Sequence, residues 1–243
     1  DGCRCSIPRI ILDWIMRGVS YTALLALTGI LCAVSLPALR FQIPLPSLPE
    51  SLRESLLDSS VDSEKVSEFA ARLPRHYSHQ AAYELTERYA WLLPPDVRSK
   101  YGVFYTPPSL TRRLLSTATA YGVTWETCRL LDPACGGGAF LAPAALRKRA
   151  SLKDRPSTER MWRIGRDLRG FEIDPFAAWL SQVLTELALI EDVVDSGVRL
   201  QSIVETRDAI RCHCVPSSFD LVIGNPPYGR ASLSKEDREA YRR

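Results

Sequence analysis

The chain has 243 residues, which is enough for one sizeable domain and a smaller one. Its hydrophobic content of 46% and charged content of 24% are ordinary for a globular protein and exclude a low-complexity or fibrous chain. The formal net charge of +3 permits an acidic partner without demonstrating one.

The seven cysteines are odd in number and too sparse for a disulfide-stabilised scaffold. Four of them form the short clusters "CRC" at residues 3–5 and "CHC" at residues 212–214, whose spacing is tighter than that of usual paired zinc ligands. We therefore interpret the cysteines as free thiols in a reducing compartment, and we predict a cytoplasmic protein without a metal site.

The N-terminal part of the sequence is predicted to be helical. Residues 18–39 carry no charge and are numerous enough to span a membrane, and the preceding arginines are also typical of a secretory signal. Several polar residues and a proline dilute this run, which favours a buried helix over membrane insertion. Three prolines mark a linker at residues 40–49, and "DSEKVSEFAARL" and "SHQAAYELTERYAWLL" have helical apolar spacing. We predict a helical region over residues 1–94.

Beyond residue 95 the pattern changes to short apolar runs that alternate with helical stretches. The segments "CRLLDPACGGG", "LRGFEIDP", "VRLQSIVETRDA" and "FDLVIGNPP" predict four strands, with helices from Ala139 onward and in "PFAAWLSQVLTELALIED". This alternation predicts an α/β fold with a doubly wound, Rossmann-like parallel sheet in a domain over residues 95–243. Ligands of such sheets bind beyond the carboxyl ends of the strands.

Polar and flexible residues lie at these predicted strand ends. The three glycines at residues 136–138 let the backbone approach a ligand closely, and no Gly-Lys-Ser/Thr sequence follows, so the turn is not a P-loop. Glu172 ends the second strand, where a carboxylate is placed to bind ribose hydroxyls. Asp208 ends the third, where it could accept a hydrogen bond from an exocyclic amine or cap the next helix.

The fourth strand ends in "NPPY", an unusual ending because proline cannot donate a backbone hydrogen bond. The Asn225 side chain and the Pro226 backbone each offer a carbonyl acceptor, a pair suited to the two hydrogens of a planar amine. The prolines fix the turn in advance, so little entropy is lost on binding. Tyr228 offers a ring on which a base could stack.

Taken together, "YGVFYTPPSL", "DPACGGGAF" and "NPPY" resemble the S-adenosylmethionine-dependent N6-adenine DNA methyltransferases. The order of the segments resembles the gamma subgroup, which is common in restriction–modification systems. The resemblance covers residues 95–230 and implies methyl transfer from S-adenosylmethionine to the N6 amine of adenine in double-stranded DNA. The target adenine must leave the duplex, because its N6 atom is otherwise paired and stacked.

The resemblance also implies roles for individual residues. The cofactor-binding set comprises Phe104, Tyr105, Thr106 and Pro107 at the methionine end, Asp132, Pro133, Ala134, Cys135, Gly136, Gly137 and Gly138 at the amino-acid portion, Glu172 at the ribose, Ile173 on the adenine, and Asp208 at the adenine amino group. The catalytic set comprises Asn225, Pro226, Pro227 and Tyr228, which receive the substrate adenine. Catalysis would consist largely of holding the N6 amine of adenine in contact with the methyl group of the cofactor.

Members of this family continue beyond the NPPY motif, and many carry a separate target-recognition region. We therefore expect a methyltransferase domain truncated after the motif, with the recognition region absent and activity of this part alone doubtful. The alternatives are methylation of a protein glutamine or an RNA base amine, and an inactive cofactor-binding fragment. The basic segment at residues 146–169 could contact the DNA backbone, although a solvated helix face is the favoured interpretation.

Overall fold

The computed structural model describes residues 79–92, 106–209 and 218–226. The helices in these ranges are α1 (His79–Leu92), α2 (Pro108–Ala120), α3 (Leu141–Ser151), α4 (Ser157–Asp167), α5 (Pro175–Ala188) and α6 (Ile190–Ser196). The strands are β1 (Leu130–Asp132), β2 (Leu168–Glu172), β3 (Val204–Thr206) and β4 (Leu221–Val222). The apolar run at 18–39, the linker at 40–49 and both cysteine clusters lie outside the described residues.

The four strands predicted from the sequence are confirmed, but their extents differ from the prediction. Strand β3 is only three residues long, so Asp208 lies beyond its end rather than at it. The helix predicted after the glycine run begins at Leu141 instead of Ala139, because the turns of the glycine-rich segment continue to Phe140. The long helix predicted after β2 is interrupted at Leu189, which separates α5 from α6.

The sheet is parallel throughout and has the strand order β3-β2-β1-β4. Strands β2 and β4 therefore lie on opposite sides of β1, and the order of the strands reverses there. In an open parallel sheet such a reversal leaves a crevice beyond the carboxyl ends of the two strands involved. The residues that follow β1 and β4 therefore border the crevice in which a ligand would bind.

The core is formed mainly by apolar residues of the central strands and of the helices that cover them. Leu130 of β1, Leu141 of α3 and Ile164 of α4 are completely buried. Helix α5 is buried on almost every side, which explains its nearly continuous apolar sequence. Because this helix starts directly after β2, its burial fixes the position of the loop that follows Glu172.

The basic segment at residues 146–169 is exposed in part, as predicted, but it also contains buried ion pairs that the sequence did not indicate. The Lys148 side chain is only 1% exposed, and its Nζ atom lies 2.7 Å from Asp167 Oδ2. The same nitrogen donates hydrogen bonds to the carbonyl oxygens of residues 125, 126 and 128 at 3.0–3.1 Å. Arg149 and Arg160 both pair with the buried carboxylate of Asp192. Much of the positive charge is therefore neutralised within the domain.

Helix α1 packs against the α/β layers. The Tyr89 ring is 3% exposed and lies 4.6 Å from the Phe176 ring, centroid to centroid. Within the described ranges, no helix has the length and apolar character needed to cross a membrane.

Candidate cofactor and substrate site

Backbone hydrogen bonds bring the ends of the four strands together at one edge of the sheet. The Ile223 amide donates to the Leu131 carbonyl at 3.0 Å, which aligns the end of β4 with that of β1. The Arg207 amide donates to the Glu172 carbonyl at 2.8 Å, which aligns the end of β3 with that of β2. Asp132 therefore lies between the turn that carries Asn225 and the strand end that carries Glu172.

The glycine-rich loop after β1 has a conformation that only glycine adopts readily. Gly136 and Gly138 have φ values of 51° and 85°, in the left-handed region. A Cβ atom on Gly138 would lie 2.8 Å from Ser181 Oγ and 3.2 Å from its Cα, so the loop also packs closely on α5. The Cys135 amide donates to the Phe171 carbonyl at 2.9 Å and ties the loop to β2.

Glu172 joins this loop to the start of α5. Its Oε2 atom accepts a hydrogen bond from the Gly136 amide at 2.8 Å, and its Oε1 atom accepts one from the Asp174 amide at 2.9 Å. Burial of the carboxyl group raises the pKa of Glu172 to about 7, against the lowering effect of these amides. Each carboxylate oxygen keeps a second lone pair, so the group can accept further hydrogen bonds from a ligand.

Asp132 is almost completely buried, with an exposure of 1%. Its Oδ1 atom accepts a hydrogen bond from the Ala134 amide at 3.2 Å. Burial raises the pKa of Asp132 to about 7, and the charge of Glu172 raises it further. A Cβ atom on Gly224 would lie only 2.6 Å from Asp132 Oδ1, so a glycine is needed directly before Asn225. The substrate turn predicted from the sequence therefore lies directly against the residue that begins the glycine loop.

A cavity of about 230 Å³ opens beside the glycine loop, between α1, α2 and α3. The backbone of Gly137 and Gly138 forms one wall, and Thr106 and Thr111 contribute to the others. Thr111 is 2% exposed, and its hydroxyl has no hydrogen-bond partner among the described residues. A buried hydroxyl without a hydrogen-bond partner costs free energy.

A family model for N-6 DNA methylases matches residues 82–243, which is more than half of the chain. The chain belongs to the N-6 DNA methylase family. A comparison with curated proteins finds no match.

Two solved structures are similar to the chain at low sequence identity. One is titled a cryoEM structure of a DrdV–DNA complex, with 14% identity and a TM-score of 0.46; the match covers 66% of this chain and 17% of that one. The other is titled a structure of the Type IIL restriction-modification enzyme MmeI in complex with DNA, with 15% identity and a TM-score of 0.42. That match covers 84% of this chain and 34% of the other, so the methylase chain described here spans a minor part of both.

Most of the site residues predicted from the sequence lie in the described part of this methylase. Asp132, the loop at residues 133–138, Glu172 and Asn225 meet at the carboxyl edge of the sheet. Asp208 lies two residues beyond β3, the outer strand on that side. Four predicted residues lie outside the described ranges, and their roles stay predictions: Phe104, Tyr105, Pro227 and Tyr228.

Four residues of the site were missed by the sequence reasoning: Tyr89, Thr111, Asp174 and Gly224. Asp174 caps α5, since its Oδ1 atom accepts hydrogen bonds from the Phe176 and Ala177 amides at 2.9 and 3.4 Å. An aspartate followed by a proline at the start of an apolar helical stretch is a recognisable cap signal, so Asp174 could have been found. The other three depend on contacts between segments far apart in the sequence, and nothing local marks them.

Proposed function

We propose that this chain carries the cofactor- and substrate-binding part of an adenine-specific DNA methyltransferase of a restriction–modification type system. It would transfer a methyl group from S-adenosylmethionine to the N6 amine of adenine. The observation that carries the proposal is the close approach of the Gly224 backbone to the Asp132 carboxylate, which leaves no space for a Cβ atom at residue 224. This contact sets the Asn-Pro turn beside the glycine loop, so that an amine and a cofactor would meet at the reversal of the sheet.

The residues present fit S-adenosylmethionine in three respects. Glu172 keeps lone pairs for two ribose hydroxyls, and its side chain is only partly buried. Gly137 and Gly138 present backbone without side chains to the cavity between α1, α2 and α3. Thr106, which the family resemblance assigns to the methionine end, lines the same cavity. Ile173 would pack on the adenine ring of the cofactor, Asp208 would meet the adenine amino group, and Asp132 would contact the amino-acid portion.

Bound S-adenosylmethionine supplies an electrophilic methyl group on a sulfonium centre. The protein residues would supply the position of the nucleophile. The Asn225 side-chain carbonyl and the Pro226 backbone carbonyl would accept hydrogen bonds from the two N6 hydrogens, which turns the nitrogen lone pair away from the ring and toward the cofactor. Such fixed acceptors act mainly by orientation and by electrostatic preorganisation.

The DNA partner would be a duplex from which one adenine is rotated into the site. Tyr228 would stack on that base, a contribution of about 1–3 kcal/mol. Six of the nine basic side chains of residues 146–169 form ion pairs within the domain, so we do not assign that segment to the DNA backbone.

The proposal is tested by transfer of tritiated methyl groups to duplex DNA with and without adenine, using the chain within its complete methylase. Adenine-containing duplexes should be labelled, whereas poly(dG)·poly(dC) should not. Asn225→Ala should reduce the labelling rate by about 10²–10³-fold, because one preorganised polar group at the reacting nitrogen is lost. Its affinity for S-adenosylhomocysteine should stay unchanged, since the cofactor would be bound by the loop and Glu172.

Val222→Ala is a matched control on the same strand, because Val222 is 62% exposed and faces away from the core. It should label DNA at the normal rate. Near-normal turnover of Asn225→Ala would contradict the role of the turn. Labelling of RNA or of a protein glutamine in place of adenine would assign the site to one of the alternative substrates.

A further inference from the structure

Tyr89 lies on α1, outside the predicted cofactor-binding set, yet it is hydrogen-bonded to Asp174, the residue directly after Glu172 and Ile173. Its hydroxyl group donates a hydrogen bond to Asp174 Oδ2, across 85 positions of the chain. The ring is held between α1 and α5, since it packs on Phe176, which in turn lies 5.6 Å from the Trp179 ring. This ring packing and the 3% exposure of Tyr89 restrict the position of its hydroxyl group.

Asp174 links Tyr89 to the predicted cofactor-binding residues. Its Oδ1 atom accepts from the Phe176 and Ala177 amides, and its own amide donates to Glu172 Oε1 at 2.9 Å. Glu172 Oε2 in turn accepts from the Gly136 amide at 2.8 Å. A continuous chain of hydrogen bonds thus runs from α1 through the start of α5 to the glycine loop.

The energetics of this chain depend on the Asp174 carboxylate. The group is 7% exposed, and a buried carboxylate is stable only when hydrogen bonds compensate for the lost water. Two of its three described donors are amides of its own helix, and Tyr89 is the donor that comes from a different part of the chain. Without that donor the carboxylate would turn or take up a proton, and the loop between Glu172 and α5 would lose its anchor.

We propose that Tyr89 is a positioning residue for the cofactor, which acts through Asp174 to hold the Glu172 carboxylate in the orientation that binds ribose. This inference rests on the proposed function, because it assigns Tyr89 to the same cofactor site. Helix α1 already lines the cavity beside the glycine loop, and this inference gives it a second role, through Asp174, at the ribose end of the site.

The test is a double-mutant cycle of Tyr89→Phe and Glu172→Gln in the full chain, read by calorimetric titration with S-adenosylhomocysteine. Tyr89→Phe keeps the ring packing and removes only the hydroxyl, and it should weaken binding about tenfold. In the Glu172→Gln variant, Tyr89→Phe should weaken binding less than about threefold, because the residue at position 172, through which Tyr89 acts, has lost its charge. A merely structural role of Tyr89 would give the same loss in both backgrounds.

Tyr121→Phe is the matched control, since the Tyr121 side chain is 88% exposed at the end of α2. It should leave binding unchanged. Should Tyr89→Phe unfold, Asp174→Asn replaces it in the cycle, because asparagine still accepts hydrogen bonds at the helix start. Equal losses in both backgrounds, or no loss at all, would overturn the inference. Absence of binding by the unaltered, folded chain would instead contradict the proposed function and this inference with it.

Discussion

Asp132 shows how a single residue links the two halves of the site. Its carboxylate is buried below the surface, bonded to the Ala134 amide on one side and in contact with Gly224 on the other. Its environment disfavours the charged form, and the pKa of Asp132 is accordingly raised from 3.8 to about 7. A carboxyl group that keeps its proton near neutral pH can donate as well as accept a hydrogen bond, which suits a position between two loops.

This raised pKa predicts how stability depends on pH. Between the unfolded value of 3.8 and the folded value of about 7, the folded chain holds a proton that the unfolded chain has lost. The free energy of unfolding should therefore fall as pH rises across this window, and Glu172 contributes with the same sign. Asp132→Asn should make this slope shallower, as measured by urea unfolding at several pH values between 4.5 and 7.5.

Asp154→Asn serves as the control for this measurement, because Asp154 is exposed in the turn between α3 and α4. It should leave the slope of the unaltered chain intact. The same slope in Asp132→Asn as in the unaltered chain would show that Asp132 titrates normally in the folded state.

At the level of elements, the buried Lys148–Asp167 pair fastens α3 and α4 to the start of the sheet. Lys148 lies near the end of α3, Asp167 ends α4 directly before β2, and the three carbonyls that bind Nζ precede β1. Burial raises the pKa of Asp167, but the hydrogen bonds from Arg166 and Lys148 outweigh this effect and leave it below its usual value. The pair therefore holds α3 and the end of α4 against the segment that precedes β1.

Lys148→Met should be strongly destabilising, by about 3–5 kcal/mol, because it leaves a buried carboxylate and three carbonyl oxygens without their cation. The measurement is the free energy of unfolding in urea. Lys153→Met, on an exposed side chain just beyond α3, should change stability by less than about 0.5 kcal/mol. Removal of both charges in Lys148→Met with Asp167→Leu should cost less than Lys148→Met alone; a larger cost would mean that the pair is not coupled as described.

At the level of the whole molecule, the strand order decides which loops can share a ligand. Strands β2 and β4 flank β1, so the acidic end of one and the Asn-Pro turn of the other lie on either side of the glycine loop. A ligand that contacts several of these loops binds the folded chain and not the unfolded one. It should therefore stabilise the fold by mass action.

S-adenosylmethionine or S-adenosylhomocysteine should raise the melting temperature, with a stabilisation of about 2.7 kcal/mol at a ligand concentration 100 times the Kd. Glu172→Ala should lose most of this shift at the same ligand concentration, because the ribose hydroxyls lose their acceptor. Differential scanning fluorimetry with a calorimetric titration measures both effects. A folded chain that gives no heat with either compound would contradict the cofactor assignment.

The sequence alone determined the type of fold and most of the candidate site. The alternation of apolar runs and helical stretches specified four strands of an α/β sheet, because hydrophobic periodicity is a local property of the chain. The glycine run, Glu172 and "NPPY" were equally visible, since each is a short motif whose chemistry depends on adjacent residues. Helix boundaries were wrong by a few residues, and the interruption at Leu189 was not foreseen, because helix ends depend on packing as much as on propensity.

Only the tertiary structure decided which of these motifs meet. The placement of β4 beside β1 brings Gly224 against Asp132, and nothing in either segment encodes that the other is its neighbour. The burial of Lys148 and the bond from Tyr89 to Asp174 join residues 19 and 85 positions apart in sequence. Such contacts arise from the summed packing of the helices and the sheet. The sequence therefore indicated a solvated face for the basic segment and an ordinary core position for Tyr89, because the partners of these residues are distant in the chain.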